Sequence, residues 1–286
     1  MGVMHMRCAW EALLGLLPQS LREDVDKQGR EQLQELRLRL GIPPELIFNS
    51  GSIRLRQIVT SEMLQYVVNG ACRYSPWTAT TAASGYITAQ GGHRIGLCGE
   101  VVLRNAQMAD IKNLSSICIR VARDFPGIGK QIPTDGSLLI IGRPGCGKTT
   151  LLRDIIRNRS ENGRGSIGVV DERGELFPSF QGKPCFSPGS RTDILSGCPK
   201  GQGVELLLRT MSPATIAVDE ITAESDCKGL LHAAWCGVSL IATAHAGSIR
   251  DFLMRPVYRP LVESHIFTKV IVMQPDKSWR EERMPI

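Results

Sequence analysis

A chain of 286 residues can hold two modest domains or one large one, and its 42% hydrophobic and 22% charged residues are those of an ordinary globular protein. The net charge of +6 is spread along the chain, so charge alone is weak support for a nucleic-acid partner; no run nears the roughly 18 apolar residues that cross a bilayer. The nine cysteines contain no C-x-x-C pair, which argues against a zinc ribbon or thioredoxin-like site and predicts reduced thiols in a cytosolic compartment.

Met1 to Met6 carry no compact apolar core, so no signal peptide is expected. Residues 7–17 place Trp10, Leu13, Leu14 and Leu17 at helical spacing, ending at Pro18. The segment Glu31–Leu40 closes in strict alternation of Leu36, Leu38 and Leu40 with Arg37 and Arg39, a strand signal stopped by Gly41 and Pro43-Pro44. A helix is predicted from Ser61, with Ser61 as its cap and Leu64, Val67 and Val68 facing inward. Between Ser84 and Leu103, two short runs joined around Gly91-Gly92 read as a hairpin, and Ser116–Val121 as one more strand. The chain to residue 124 is therefore expected to be a small α+β domain.

Asp124–Gly136 is rich in Pro and Gly and reads as a domain junction, leaving 125–286 as the second domain. Buried strands are predicted there at Leu138–Ile141, Ile167–Val170, Thr215–Val218, Val238–Ala242 and Ile266–Met273, alternating with helices. Continuous apolar runs of this kind imply a parallel sheet covered on both faces.

Gly142-Arg143-Pro144-Gly145-Cys146-Gly147-Lys148-Thr149 fits G-x-x-x-x-G-K-[ST], with a strand before it and the helix TTLLRDIIRN after it. Glycines let backbone N–H groups turn toward phosphate oxygens, and the helix N-terminus lies behind them. Lys148 would bridge β- and γ-phosphates, Thr149 would ligate Mg²⁺, and Thr150 continues the nucleotide-binding segment. The strand Thr215–Val218 ends in Asp219, expected on the metal, and Glu220, expected to orient or deprotonate the attacking water. Ile167–Val170 lies between these two strands in sequence and points to the additional-strand class of P-loop ATPases, RecA-like and AAA-type cores. His245, ending the next strand, is expected near the γ-phosphate as a sensor. In Asp171-Glu172-Arg173-Gly174-Glu175, Glu172 is expected to support water or metal and Arg173 to pair with it. Arg120, Arg123, Arg191 and Arg209 are candidates to reach phosphate from a neighbouring subunit.

The blocks GRPGCGKTTLLRDI, VVDERGEL, RTDILSGCPKG, LLRTMSPATIAVDEI and IATAHAGS together resemble the stage III sporulation protein AA family, as do LRLRLGIPPEL, GGHRIGLCGEV and ICIRVAR upstream. The likeness runs over roughly 30–273. That family is similar to the type II and type IV secretion ATPases, whose Asp box corresponds to VVDERGEL, whose His box to TAHAGS, and whose Leu-Leu-Arg to Leu207-Leu208-Arg209. The resemblance implies a cytoplasmic hexameric ring using ATP and Mg²⁺, with Arg120 aimed at nucleotide from outside the core. It also implies membrane channel proteins of a sporulation complex as partners, between mother cell and forespore. The chain departs from the family pattern at Gly174 and at Thr222-Ala223, so a charged contact after Glu220 is not carried over. The competing reading is a nucleic-acid-dependent RecA-like or AAA+ ATPase. With 5% aromatic residues and scattered N-terminal basic groups, a stacking groove for single strands is not expected.

Overall fold

A computed structural model describes residues 6–29, 32–72, 85–105, 107–132 and 135–284. The expectations that touch Met1–His5, Glu31, Ser84 and Pro133-Thr134 lie outside the described residues. The chain divides into two compact units, one of Met6–Asp124 with Pro178–Phe186, the other of Phe125–Phe177 with Ser187–Ile286.

The first unit opens with helices α1 (Trp10–Leu16) and α2 (Gln19–Asp26), the second starting behind Pro18, whose fixed φ suits a helix entrance. Its sheet holds β1 (Leu33–Arg39), β2 (Glu45–Phe48), β3 (Gly51–Arg54), β4 (Tyr86–Thr88), β5 (Arg94–Arg104) and β6 (Gln107–Arg120), in the order β3-β2-β1-β6-β5-β4. Every pairing is antiparallel. One face buries Leu36, Leu38, Leu46, Ile87, Ile95, Ile117 and Ile119 in a core shared with Leu13 and Leu17 and with α3 (Ser61–Cys72). The alternation read at Leu36 and Leu38 is real, but Leu40 lies beyond β1 and is exposed, because the chain turns at Gly41. The cap of α3 is Thr60, not Ser61: Thr60 Oγ1 accepts the Met63 amide at 3.4 Å. Leu64 and Val67 are buried there, Val68 only in part. The Gly-Gly hairpin joins β4 to β5, both glycines having positive φ. Strand β6 starts nine residues earlier than the apolar run at 116, since the outer half of the β5–β6 ribbon has no buried face to impose alternation. The Pro178–Phe186 segment adds a two-stranded ribbon, β9 (Ser179–Phe180) with β10 (Lys183–Pro184).

The second unit holds a seven-stranded sheet of β7 (Leu138–Gly142), β8 (Ile167–Asp171), β11 (Thr192–Ser196), β12 (Thr215–Ile221), β13 (Ser239–His245), β14 (Lys269–Met273) and β15 (Trp279–Arg283). The order is β11-β8-β12-β13-β7-β14-β15, parallel except for β15. Strands β7 and β8 are buried at every residue, as a sheet covered on both faces requires. The helices are α4 (Lys148–Asn162), α5 (Lys200–Met211), α6 (Glu224–Trp235), α7 (Ile249–Met254) and α8 (Arg259–Glu263). The core has the RecA-like, parallel arrangement that the sequence predicts, and β8 does lie between β7 and β12 along the chain. The strand inserted in the sheet between β7 and β12 is β13; β8 stands on the far side of β12. Position along the chain does not determine position in the sheet, because each crossover can skip a neighbour. Strands β11 and β15 had no apolar signal; one is half-buried and the other polar, as edge strands are.

Candidate functional site

The parallel strands deliver Gly142, Asp171, Glu220 and His245 to the carboxyl edge of one sheet, where such folds bind ligands. Gly142 ends β7 so tightly that a Cβ there would lie 2.5 Å from Cys146 Sγ and 2.9 Å from Met273 Cβ. Arg143, Pro144 and Gly145 are exposed at the tip, whereas Cys146 is buried beneath them. Gly147 has φ 98° and stands at the N-cap of α4, so the loop enters the helix through a left-handed residue that only glycine adopts cheaply. The amides of Lys148, Thr149 and Thr150 then form the first turn of the 15-residue helix, an anion-binding end by dipole and by free N–H groups.

Lys148 is 6% exposed, and its Nζ donates to Gly142 O at 2.9 Å and Arg143 O at 3.1 Å. Burial holds this ammonium below the usual lysine value. The same Nζ lies 3.0 Å from His245 Nδ1, and His245 Nε2 lies 2.8 Å from Glu220 Oε1. An ammonium on Nδ1 and a carboxylate on Nε2 together require the tautomer with its proton on Nε2. His245 thus links Lys148 to Glu220.

Asp219 and Glu220 owe their placement to a β-bulge. Strand β12 pairs Val218 with Ala242 and Ile221 with Ala244, so the two acidic residues stand opposite the single residue Thr243. Glu220 takes φ 57°, a left-handed conformation that costs a non-glycine residue about 1 kcal/mol or more. In return, two successive side chains that a regular strand would send to opposite faces both serve the site. Asp219 Oδ2 accepts from Thr149 Oγ1 at 2.7 Å and Oδ1 from Thr243 Oγ1 at 2.6 Å. In sequence Thr243 is only the first residue of the TAHAGS segment, with no role of its own; its hydroxyl, two residues before His245 on the same strand, is the available signal.

The loop after β8 is clamped from two sides. Asp171, buried, accepts from the amides of Glu175 (3.0 Å), Leu176 (3.1 Å) and Phe177 (2.8 Å). Burial raises its pKa although those amides pull the other way. Arg153 of α4, also buried, donates to Leu176 O at 2.5 Å and Glu175 O at 3.0 Å. From this fixed loop Arg173 Nη1 reaches Glu220 Oε2 at 2.9 Å. The expected Arg173–Glu172 pair is therefore corrected: Glu172 instead pairs with the buried Lys200 at the start of α5, which also lies 3.8 Å from Asp226. Neighbours in sequence, Glu172 and Arg173 diverge because the loop turns at Gly174. Glu172, Arg173, Glu175 and Lys200 share with Asp171, Asp219 and Glu220 a cleft of about 20 Å³, room for one water. A larger cavity of about 410 Å³ opens beside Arg143, Pro144, His245 and Arg255.

The arginines separate. Arg191 is committed to Ser160 O (2.7 Å) and Glu161 O (3.0 Å) at the end of α4. Arg209 is exposed in the last turn of α5, toward the amino edge where β12 begins, so its own chain does not bring it to the site. In the first unit, Arg123 is half-buried and donates to Leu33 O. Arg120 is exposed at the end of β6, 3.5 Å from Glu35, with Arg94 directly opposite it on β5.

Among the described residues no group of three or more His, Cys, Asp or Glu is arranged to hold a metal. One hydroxyl and one carboxylate, Thr149 and Asp219, are what Mg²⁺ takes when phosphate and water complete its shell. No helix among the described residues is long and apolar enough to cross a membrane.

Residues 10–282 match the family described as sporulation stage III, protein AA. The chain is 34% identical over 270 residues to stage III sporulation protein AA of Bacillus subtilis, covering 90% of this chain and 88% of that one. Among solved structures, the pilus retraction motor PilT with bound ADP superposes with a TM-score of 0.60 at 16% identity, over 88% of this chain and 77% of that one. The ATPase DotB of Legionella pneumophila gives 0.54 at 16% identity, over 88% and 76%. At such identities these two likenesses concern the fold.

Proposed function

Because the chain belongs to the sporulation stage III protein AA family, we propose that it is a cytoplasmic ATP-hydrolysing motor working as a hexameric ring. It would energise or gate a channel between mother cell and forespore through membrane-channel partners. The observation that carries the catalytic part is the convergence of Lys148, Thr149, Asp219 and Glu220 at one sheet edge, joined by hydrogen bonds of 2.7–3.0 Å through His245 and between Thr149 and Asp219. The ADP held by the related-fold pilus motor agrees with a nucleotide on this loop.

In this reading the backbone of Gly142–Thr149 cradles the phosphates of ATP, and Lys148 exchanges its two carbonyls for phosphate oxygens. Thr149 and Asp219 would hold Mg²⁺, which supplies charge neutralisation on the phosphates. Glu220 takes the proton of the attacking water, and Glu172 shapes the water cleft from its other wall. His245 contacts both Lys148 and Glu220 and so registers whether Lys148 has moved to phosphate. Arg120 and Arg209 are assigned to nucleotide on a neighbouring copy, on the strength of the resemblance.

Steady-state ATP hydrolysis measured against protein concentration, with single-stranded DNA or RNA added in parallel, tests this function. Specific activity that climbs steeply with concentration and ignores nucleic acid is expected of a ring with shared sites. Stimulation by single strands would instead establish the nucleic-acid-dependent ATPase.

A further inference from the structure

Lys200 is 4% exposed and is the first residue of α5. A cation there meets the positive pole of its own helix, and an ammonium taken out of water is costly. For stability alone an apolar residue would serve as well, so the charge is placed for what surrounds it. Close packing puts it there. A Cβ on Gly201 would lie 2.6 Å from Ser225 O of α6, and one on Gly203 would lie 2.5 Å from Val170 Cγ1 of β8. With glycine at both positions, α5 lies against both elements and holds Lys200 in the gap between them. Its Nζ pairs with Glu172 in the loop after β8 and lies 3.8 Å from Asp226 Oδ2 in α6. Asp226 in turn accepts the amides of Thr222 (3.0 Å) and Ala223 (3.1 Å), which follow directly on Glu220-Ile221 at the end of β12. Glu172 and Glu220 line the same one-water cleft, and Lys200 lines it with them. One ammonium thus ties the segment that carries Glu172 to the segment that carries Glu220.

We propose that Lys200 is a positioning residue for hydrolysis, holding Glu172 on the wall of the water cleft and fixing the gap between Glu172 and Glu220. The proposal rests on the reading of Glu220 as the base. The Glu172 side chain is 37% exposed, so without the ammonium repulsion from Asp226 and from the acidic groups of the cleft drives its carboxylate into solvent. The water then loses one of its walls, while the phosphate loop and the Thr149–Asp219 pair stay as they are. Turnover suffers and nucleotide binding does not.

The test compares the full chain with Lys200→Met, which keeps the length of the side chain without its charge, with Glu172→Ala, and with the double variant. The maximal rate and KM for MgATP are measured, and the affinity for a fluorescent ATP analogue is read separately. Each single variant should lose roughly ten- to a hundredfold in kcat, the range open to a displaced water. KM and analogue affinity should stay within about twofold of the parent. Because Lys200 acts through Glu172, the double variant should fall well short of the product of the two losses. Losses that multiply overturn the assignment, and so does a Lys200→Met protein with the parent kcat. A Lys200→Met protein that loses analogue binding together with turnover gives Lys200 a part in the fold alone and overturns it as well. Should Lys200→Met not fold, the double variant, which also removes the Glu172 carboxylate, decides against Glu172→Ala: equal turnover supports the tie and a further loss overturns it. Failure of the underlying reading looks different: Glu220→Gln would then hydrolyse ATP at the parent rate, and the role of Lys200 would fall with the base.

Discussion

Thr243 Oγ1 donates to Asp219 Oδ1 at 2.6 Å, and the same oxygen accepts the Glu220 amide at 2.7 Å. One fully buried hydroxyl therefore fixes the rotamer of one carboxylate and the strained backbone of the next. Thr243→Val keeps the volume and removes both bonds, leaving a buried amide and a carboxylate oxygen without a partner. It should cost about 1–3 kcal/mol in a denaturant titration and cut ATP turnover by a larger factor than it changes nucleotide affinity. Unchanged turnover would show that the bulge holds its shape without this hydroxyl.

Lys148→Ala and Glu220→Gln should separate binding from chemistry. The first removes the cation that faces the phosphates, so affinity for a fluorescent ATP analogue should fall at least tenfold. The second retains the phosphate loop and Asp219, so it should bind ATP near the parent affinity and turn it over on the order of a hundredfold more slowly. Rapid turnover by Glu220→Gln would move the base to another residue, with Glu172 next in the cleft.

His93 makes the stability of the first unit sensitive to acid. Its Nε2 donates to Ala9 O at 2.9 Å while Nδ1 accepts from the Ala122 amide at 3.1 Å, which only the neutral ring can do. Burial first, and the nearby Arg123 charge as well, hold its pKa below the ordinary 6.5. Below 6.5 the unfolded chain takes up a proton that the folded one refuses, so stability falls with pH until the folded pKa is reached. Urea unfolding of the parent and of His93→Gln between pH 8 and 5 should show a steeper acid loss in the parent. Parallel curves would exclude His93 as the cause.

Cys227 is buried in α6 and donates to Val257 O at 3.1 Å; burial, with Asp226 and Glu224 nearby, pushes its thiol up to about 12. Cys98 and Cys236 are exposed. Mass spectrometry after brief alkylation of the folded protein at pH 8 should find the two exposed thiols modified and Cys227 untouched, because the thiolate is the reactive form. Modification of Cys227 at a comparable rate would mean that α6 opens readily.

What the sequence by itself determined is local. The phosphate loop is eight consecutive residues whose glycines answer backbone demands within the same eight, at Gly142 and Gly147. The parallel strands β7, β8, β12, β13 and β14 declare themselves by apolar runs, since burial on both faces leaves nothing else to place there. The tertiary structure alone decided the partners. Insertion of β13 beside β7 puts His245 against Lys148, 97 residues away, and the β12 bulge sets Asp219 and Glu220 over Thr243. Arg173 could pair with Glu172 next to it or with Glu220, 47 residues on. Nothing in the spacing distinguishes these, because the choice depends on the turn at Gly174 and on how Asp171 and Arg153 hold the loop. A charge reads as a charge in sequence; which opposite charge lies within 3 Å is settled by the strand order and by the loops it fixes.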